Sequence, residues 1–586
     1  MAHRPVAPLV DIDVRRAEQV VGHPEMLLSI RKNVPRGATR GREALYGRIT
    51  DVGHTGVTTM IIDDTGGLGR VEVSTIPMPA FAKELSVTYT FSGSVVVLFR
   101  RDDDPEGNDF WNVAVADDDG AAFRVIFSGV IRQHEKANGI RLMPFQDNTR
   151  LLLGDYVLEC DPDIDGCERA ELVPVTYPWD IEQEPHTSHH WSEIIIAPDN
   201  EHMAWTMLRT DVGAANALGS LVRKQNAYVI ESPQIISTLT RFERDEERDG
   251  FIVPQVVRGG EVKQFVRGGT AISLVGKKDG PVVDSVVQDL ASEELTQITK
   301  TPGYDETTIF SPDESLGLVM STRGSRHTDP AIFGLLPRPH SYATQGLIMA
   351  LYMYSVAGVR SFRPGNIGPA LIEIERSMYE PGYQGVLLND PEERWVYLSP
   401  MSWHPGGKKA MWPEMVRGSN QSERGPQIRV RRVTLHDHQP GDTVPVQRTP
   451  DRIPYGIEGT NARLSVWSPP ATAVEGRIAG KHSGHVEYTA RDAVQSRYDN
   501  HSDDGKTFYN GIERLTRSPA EESVYEADLE MTGEQHGAMK LRATFSRATF
   551  TLPPKLLFDA AEDGKPKSHG YATYGGVTLN MEDLAE

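Results

Sequence analysis

The segment PHTSHHWSE gathers His186, His189, His190 and Glu193 within eight residues. Imidazole titrates near neutrality and binds transition metals, and a nearby carboxylate completes a proton-transfer set. On a strand, His189 and His190 point to opposite faces, so other segments must complete any site this one begins. Arginine supplies a second pattern. Arg209 and Arg323 each stand twelve residues beyond the first residue of a similar turn, and Arg417 thirteen beyond His404. A guanidinium presents a planar fork of donors that matches a carboxylate or phosphate. Arg141, Arg326 and His327 fall near the same level, as do Glu306 and Asp305. The expected constellation is catalytic His189, His190 and Glu193, with Arg141, Arg209, Arg323, Arg326, His327 and Arg417 holding an anionic substrate. Satisfied loop histidines are the rival reading of the first cluster.

Metal chemistry has a separate candidate. Asp161, Asp163 and Asp165 in DPDIDG space their carboxylates like the opening of a calcium loop. The glutamate expected at the loop's twelfth position is absent, since Leu172 stands there. A looser acidic group runs through Asp102, Asp104, Glu106 and Asp109, and solvated turns account for both stretches equally well. A divalent ion (Mn, Zn or Ca) is therefore the cofactor expectation; a metal on the His189/His190 cluster instead would need further ligands such as His327, His340, His436 or His438. HExxH and GxSxG are absent, and so are a P-loop and a GxGxxG opening a helix, so no nucleotide or flavin cofactor is expected.

The chain has 61 Lys+Arg against 82 Asp+Glu, a net charge of −21, which argues against sequence-independent nucleic-acid binding. Its only cysteines, Cys160 and Cys167, exclude a disulfide scaffold and a Cys-rich metal site. They read as two free thiols, with pairing across a hairpin as the alternative. The longest apolar run, Gly346 to Val359, falls short of the ~20 residues of a membrane span. The start lacks an apolar stretch of signal-peptide length. The expectation is a cytoplasmic protein, secreted or periplasmic if a leader was removed, with no membrane or nucleic-acid partner.

The elements that must position these groups are strands. From Ile49 onward, short apolar runs alternate with Asp/Asn/Gly/Pro turns. A repeat is visible in the turns at Ala197–Asn200, Ser311–Glu314 and His404–Gly407, with a weaker copy at Phe145–Asn148. Each turn joins two apolar strands, and radial repetition of such hairpins protects sheet edges. With 586 residues, the chain exceeds one compact core of ordinary size.

Ser311-Pro312-Asp313, the following strand and Ser321-Thr322-Arg323 resemble the SPDG…(S/T)xR repeat of TolB-like, PD40-type β-propellers. The resemblance spans residues 50–440, and only this copy is near the consensus. It implies an all-β fold of about seven blades, with the innermost strand lining a channel and the turn at its lower end. It also implies that the arginine after the second strand pairs ions between blades. Oligogalacturonate lyase-like enzymes of this scaffold, in which arginine, histidine and a divalent metal handle a uronate, are the nearest functional analogy. The expected layout is an arm over 1–48, the propeller over 49–445 with a two-helix insertion at 330–385, and an antiparallel β domain over 446–586. The proline-rich stretch HQPGDTVPVQRTPDRIP reads as a linker. The function expected is an enzyme, a lyase or hydrolase, working at the channel mouth on an anionic, carbohydrate-like small molecule, with oligomerisation through the insertion as an option. The alternative is a non-catalytic binding or scaffolding propeller for protein partners.

Overall fold

The computed structural model describes residues 48–51, 58–62, 65–105, 109–132, 140–178, 187–209, 213–238, 241–278, 280–325, 330–389, 394–419, 426–459, 474–491, 493–516, 522–547, 553–561 and 563–585. Runs such as VVVLFR and AISLVG are buried on both faces, which is why they read as continuous rather than alternating strands. They belong to antiparallel runs of strands that begin at Lys83–Tyr89, Leu142–Pro144, Thr187–Ile196, Glu261–Val266, Asp305–Phe310 and Ser402–Trp403. The runs from Lys83, Glu261 and Asp305 are separate four-stranded sheets, those from Leu142 and Thr187 join in a nine-stranded sheet through the parallel pairing of Arg169–Thr176 with Tyr228–Ile235, and the last lies in a seven-stranded sheet. Six such runs of strands stand among the described residues.

These first strands join in a ring. Ile196 N–H donates to Met143 Sδ, and Val262 N–H to Thr206 Oγ1 at 2.9 Å. Phe310 N–H donates to Gln264 Oε1 at 2.7 Å, and Trp403 Nε1–H to the Ile309 carbonyl at 2.8 Å. Tyr89 N–H donates to Ser402 Oγ at 3.0 Å, and Lys83–Tyr89 packs on Leu142–Pro144. An N-terminal strand, Val71–Ile76, supplies the outer strand of the last sheet by pairing with Ile428–Leu435. The closure therefore ties the two ends of the ring by backbone hydrogen bonds.

The repeated turn is a single device. Its closing bond runs from Gly93 to Thr90, Asn148 to Phe145, Asn200 to Ala197, Thr270 to Arg267, Glu314 to Ser311 and Gly407 to His404. Asn148, Asn200 and Gly407 take positive φ there, which suits Asn and Gly. The turns at Thr90 and Arg267 escaped the sequence alignment because glycine, with no Pro-Asp pair, provides the bend.

The insertion differs from expectation. Of the second helix expected over PALIEIERSMYE, Ile374–Tyr379 is helical, whereas Gly368–Glu373 is the third strand of its sheet, paired with Leu316–Ser321. Ala370, Leu371 and Ile372 are all buried, so a fully covered strand won over a helical stripe. The helical part ahead of that strand is Ala331–Gly334, Tyr342–Gln345 and a run through Ile348–Tyr352, a wider π turn at Met353–Ala357, and Gly358–Ser361. No helix of the described residues is long and apolar enough to cross a membrane.

Val474–Ala479 to Val577–Asn580 form an eight-stranded antiparallel sheet in sequence order. Strands such as SVYEADLEMTG alternate buried and exposed residues, and the buried face receives the insertion. Phe333 packs on Tyr525 and Phe545. Arg338 lies 3.4 Å from Glu513, with both side chains fully buried, and Ser341, Thr344 and Tyr525 hydroxyls donate to the same carboxylate. The insertion is thus the bolt between ring and sheet.

The stretch expected to be a linker is a strap. Gly441 N–H donates to Asp313 at 2.8 Å, and Thr449 N–H to Asp199 at 2.9 Å. Val444 N–H bonds the Pro312 carbonyl and Gln447 N–H the Gly268 carbonyl. His202 bridges Asp199 at 2.7 Å and Asp451 at 3.0 Å. The strap therefore runs across the turn end of the ring, and the turn aspartates anchor it. Cys160 and Cys167 are bonded across the hairpin between Tyr156–Asp161 and Arg169–Thr176, which replaces the free-thiol reading.

Candidate functional site

Side chains of the first strands meet inside the ring. Lys263, on Glu261–Val266, lies 2.8 Å from Glu261, 3.5 Å from Glu306 on Asp305–Phe310, and 3.6 Å from Glu193 on Thr187–Ile196. Arg141, just before Leu142–Pro144, lies 3.0 Å from Glu193. Three successive carboxylates thus surround one ammonium, and a guanidinium braces the outermost. The Lys263 side chain is 2% exposed. Burial alone would lower its pKa, but attraction from Glu261, Glu193 and Glu306 overrides this and raises it.

Glu306 behaves differently. Burial pushes its carboxyl up, Lys263 opposes this only in part, Glu261 adds to it, and the net result is about 7. Tyr304 O–H donates to Glu306 Oε2 at 3.3 Å. Burial and then the Glu306 charge raise both Tyr304 and Tyr352, the latter to about 12. A carboxyl poised at neutrality, beside hydroxyls that stay protonated, is equipped to give and take a proton.

These groups face a cavity of about 320 Å³. Its wall includes Glu84, Trp111, Arg141, Glu193, Lys263 and Glu306, while Tyr352 and Arg360 reach it from the insertion. Trp111 Nε1 and Arg141 Nε are buried without a hydrogen-bond partner among the described residues. Arg360 is held by its Nε–H bond to the Tyr397 carbonyl at 3.1 Å. A second cavity of about 500 Å³ continues toward the turns and shares Arg141 and Lys263, and strap residues Thr443, Val444 and Val446 line it. The charged cluster therefore divides the channel, with the insertion above and the strap below.

Of the residues expected from sequence, Arg141 and Glu193 belong to this cluster, and Glu306 from the same reading proves central. Lys263 and Glu261 were missed. Arg323 instead donates to Asp305 at 2.7 Å, to Ser321 Oγ and to the Gln384 carbonyl, almost fully buried within its own sheet. Asp284 of the preceding sheet, bonded by Thr299 and Gln297, is raised by burial first and then by Asp305. Arg417 donates to the Gly365 carbonyl at 2.6 Å, so it anchors the insertion. His189, His190 and Arg209 have backbone in paired strands, but their side chains lie outside the described residues, as do Arg326 and His327 altogether.

The acidic turn is occupied by its own hydrogen bonds. Asp163 accepts Gly166 N–H at 2.6 Å, Asp165 accepts Asn148 at 2.7 Å, and Asp161 pairs with Arg169. Among the described residues, the one group of three metal-competent side chains is His340, His501 and Asp503. Their ligand atoms lie within 4.8 Å of one another.

No family model matches the chain, and no curated protein matches it. Among solved structures, a putative TolB from Agrobacterium tumefaciens aligns at 13% identity over 50% of this chain and 73% of its own, with a TM-score of 0.28. An oligogalacturonate lyase in complex with manganese aligns at 11% identity over 67% and 99%, with a TM-score of 0.31. The β-propeller domain of the trilobed protease from Pyrococcus furiosus aligns at 8% identity over 61% and 97%, with a TM-score of 0.27. The likeness is to propeller scaffolds, and nothing about chemistry follows from it.

Proposed function

We propose that this chain is a six-bladed propeller enzyme that binds a polyhydroxylated, carbohydrate-like small molecule above the charged cluster and moves a proton on it with Glu306. The observation that carries this reading is Glu306 itself, a buried carboxyl held near pH 7 on the wall of a cavity. Trp111 and Tyr352 offer aromatic faces there, and Trp111 Nε1–H is an unspent donor. Protonated Glu306 would act as the acid toward a leaving oxygen, with ion-paired Glu193 or Glu261 as the second carboxylate that a hydrolysis or β-elimination needs.

The ligand's charge follows from the wall. Glu84, Glu193, Glu261 and Glu306 face Arg141, Lys263 and Arg360, and the first two of these cations are committed to glutamates. Among the described cations of this wall, Arg360 is the one not paired with a glutamate and would take a substrate carboxylate, in place of the rim of arginines expected from sequence. The Cys160–Cys167 bond supports an oxidising compartment over the cytoplasm.

A panel of neutral and acidic oligosaccharides, tested by calorimetry and product analysis, examines the reading. Turnover by the native chain, lost about 10²- to 10⁴-fold in Glu306→Gln with binding retained, supports it. Turnover unchanged in that variant refutes it. Non-catalytic binding is the second reading, favoured by Arg323 and Arg417 serving the scaffold, and binding without turnover would establish it.

A further inference from the structure

His340 stands in the insertion between Ala331–Gly334 and Tyr342–Gln345, whereas His501 and Asp503 stand at the end of the strand Ala493–Ser502. They are 161 residues apart in sequence, yet the two imidazoles meet edge to face with centroids 5.2 Å apart. Asp503 follows one residue beyond the end of the strand that carries His501. His501 is fully buried and His340 is 7% exposed. His340 Nδ1 and both ring nitrogens of His501 lack a hydrogen-bond partner among the described residues. The Asp503 carboxylate is 3.7 Å from His501 Nε2, too far for a hydrogen bond. Buried polar atoms are almost always paired, so three orphaned nitrogens converging beside a carboxylate call for a ligand.

We propose that His340, His501 and Asp503 bind one divalent transition-metal ion, Zn²⁺ best matching the donors, which staples the insertion to the C-terminal sheet. Two imidazoles and one carboxylate suit Zn²⁺ and disfavour Ca²⁺, which takes oxygen ligands only. Three protein ligands leave a fourth position for water. The cations acting on His340 are Lys277 and Lys481, and His485 acts on His501, opposed by Asp503. The site lies on the same junction as Arg338–Glu513, so bound metal would reinforce the contact that joins ring and sheet.

The full chain, stripped with a chelator and dialysed, is titrated with ZnCl₂ by calorimetry and with CoCl₂ by visible absorption, with CaCl₂ as control. One Zn²⁺ per chain is expected, together with Co²⁺ d–d bands and no response to Ca²⁺. The unfolding midpoint should rise with zinc. Asp503→Asn, nearly isosteric and partly exposed, should weaken zinc by more than the ~10–100-fold typical of losing an outer partner. Its metal-free circular dichroism should match that of the stripped native chain, and His340→Ala should lose the Co²⁺ bands. Absence of stoichiometric zinc, or unchanged affinity in Asp503→Asn, overturns the proposal.

Discussion

The Lys263 ammonium lies 3.5 Å from Glu306 Oε1, and the two side chains come from neighbouring sheets of the ring. The same ammonium also contacts Glu261 of its own strand and Glu193 of the sheet before. One lysine thus bridges three runs of strands inside the ring and partly offsets the burial that raises the carboxyl it touches.

Replacing Lys263 with methionine keeps the volume and removes the charge. Glu193, Glu261 and Glu306 would then be buried around no ammonium. A loss of about 3–5 kcal/mol in denaturant-measured stability at pH 8 is expected, as for breaking a buried pair. Stability within error of the native chain would mean that the cluster is not strained by its charges.

The raised Glu306 carboxyl carries a stability signature with a definite sign. The folded chain holds this proton up to about 7, while the unfolded chain releases it near 4.5. Glu306 therefore contributes stability that is complete below pH 4.5 and is lost as pH rises through 7. Glu306→Gln stays neutral throughout, so native minus variant stability should fall across that window by on the order of 3 kcal/mol. A flat difference in urea titrations between pH 4.5 and 8 would show that Glu306 titrates normally.

Arg323 is expected to matter for folding and not for ligand. Arg323→Ala leaves buried Asp305 without its guanidinium and should cost about 3–5 kcal/mol. Lysine should rescue poorly, because Arg323 also reaches Ser321 and Gln384 through separate nitrogens. Ligand affinity that collapses while stability is retained would return Arg323 to the binding site.

The strap should loosen with pH in a direction set by His202. Burial lowers its pKa, Asp199 and then Asp451 outweigh this, and the net shift is upward. Its contribution is complete below the ordinary histidine range and fades as pH rises through the raised value. Asp199, held at about 2 despite its burial by His202 and backbone N–H groups, keeps its contribution until strong acid. Hydrogen exchange at Thr449 N–H should accelerate above the ordinary histidine range beyond the intrinsic increase, and His202→Gln should abolish that excess. Equal protection factors in both chains would contradict the coupling.

The ring was legible in the sequence because its turn carries local chemistry: Pro, Asp, Asn or Gly at fixed offsets between apolar runs. Four of the six turns were found that way. The site was legible to the same extent. Counting four residues back from the turns at Phe145 and Ala197 reaches Arg141 and Glu193, and five back from Ser311 stands Glu306. Four residues before Arg267 stands Lys263, but the Arg267 turn was not recognised, and the central lysine went with it. Arg323 misled because its spacing from the turn is the same whether it faces the channel or Asp305. Partners such as Arg338 and Glu513, or His340 and His501, are joined only by tertiary packing, and no local pattern announces them.

The account turns on the protonation of one carboxyl. Infrared difference spectra of the full chain between pH 5 and 9, referenced to Glu306→Gln, isolate its C=O stretch. A protonated band that titrates away near pH 7 is the expected result. A carboxylate already formed at pH 5 would contradict the assignment of Glu306 as the proton-transfer group.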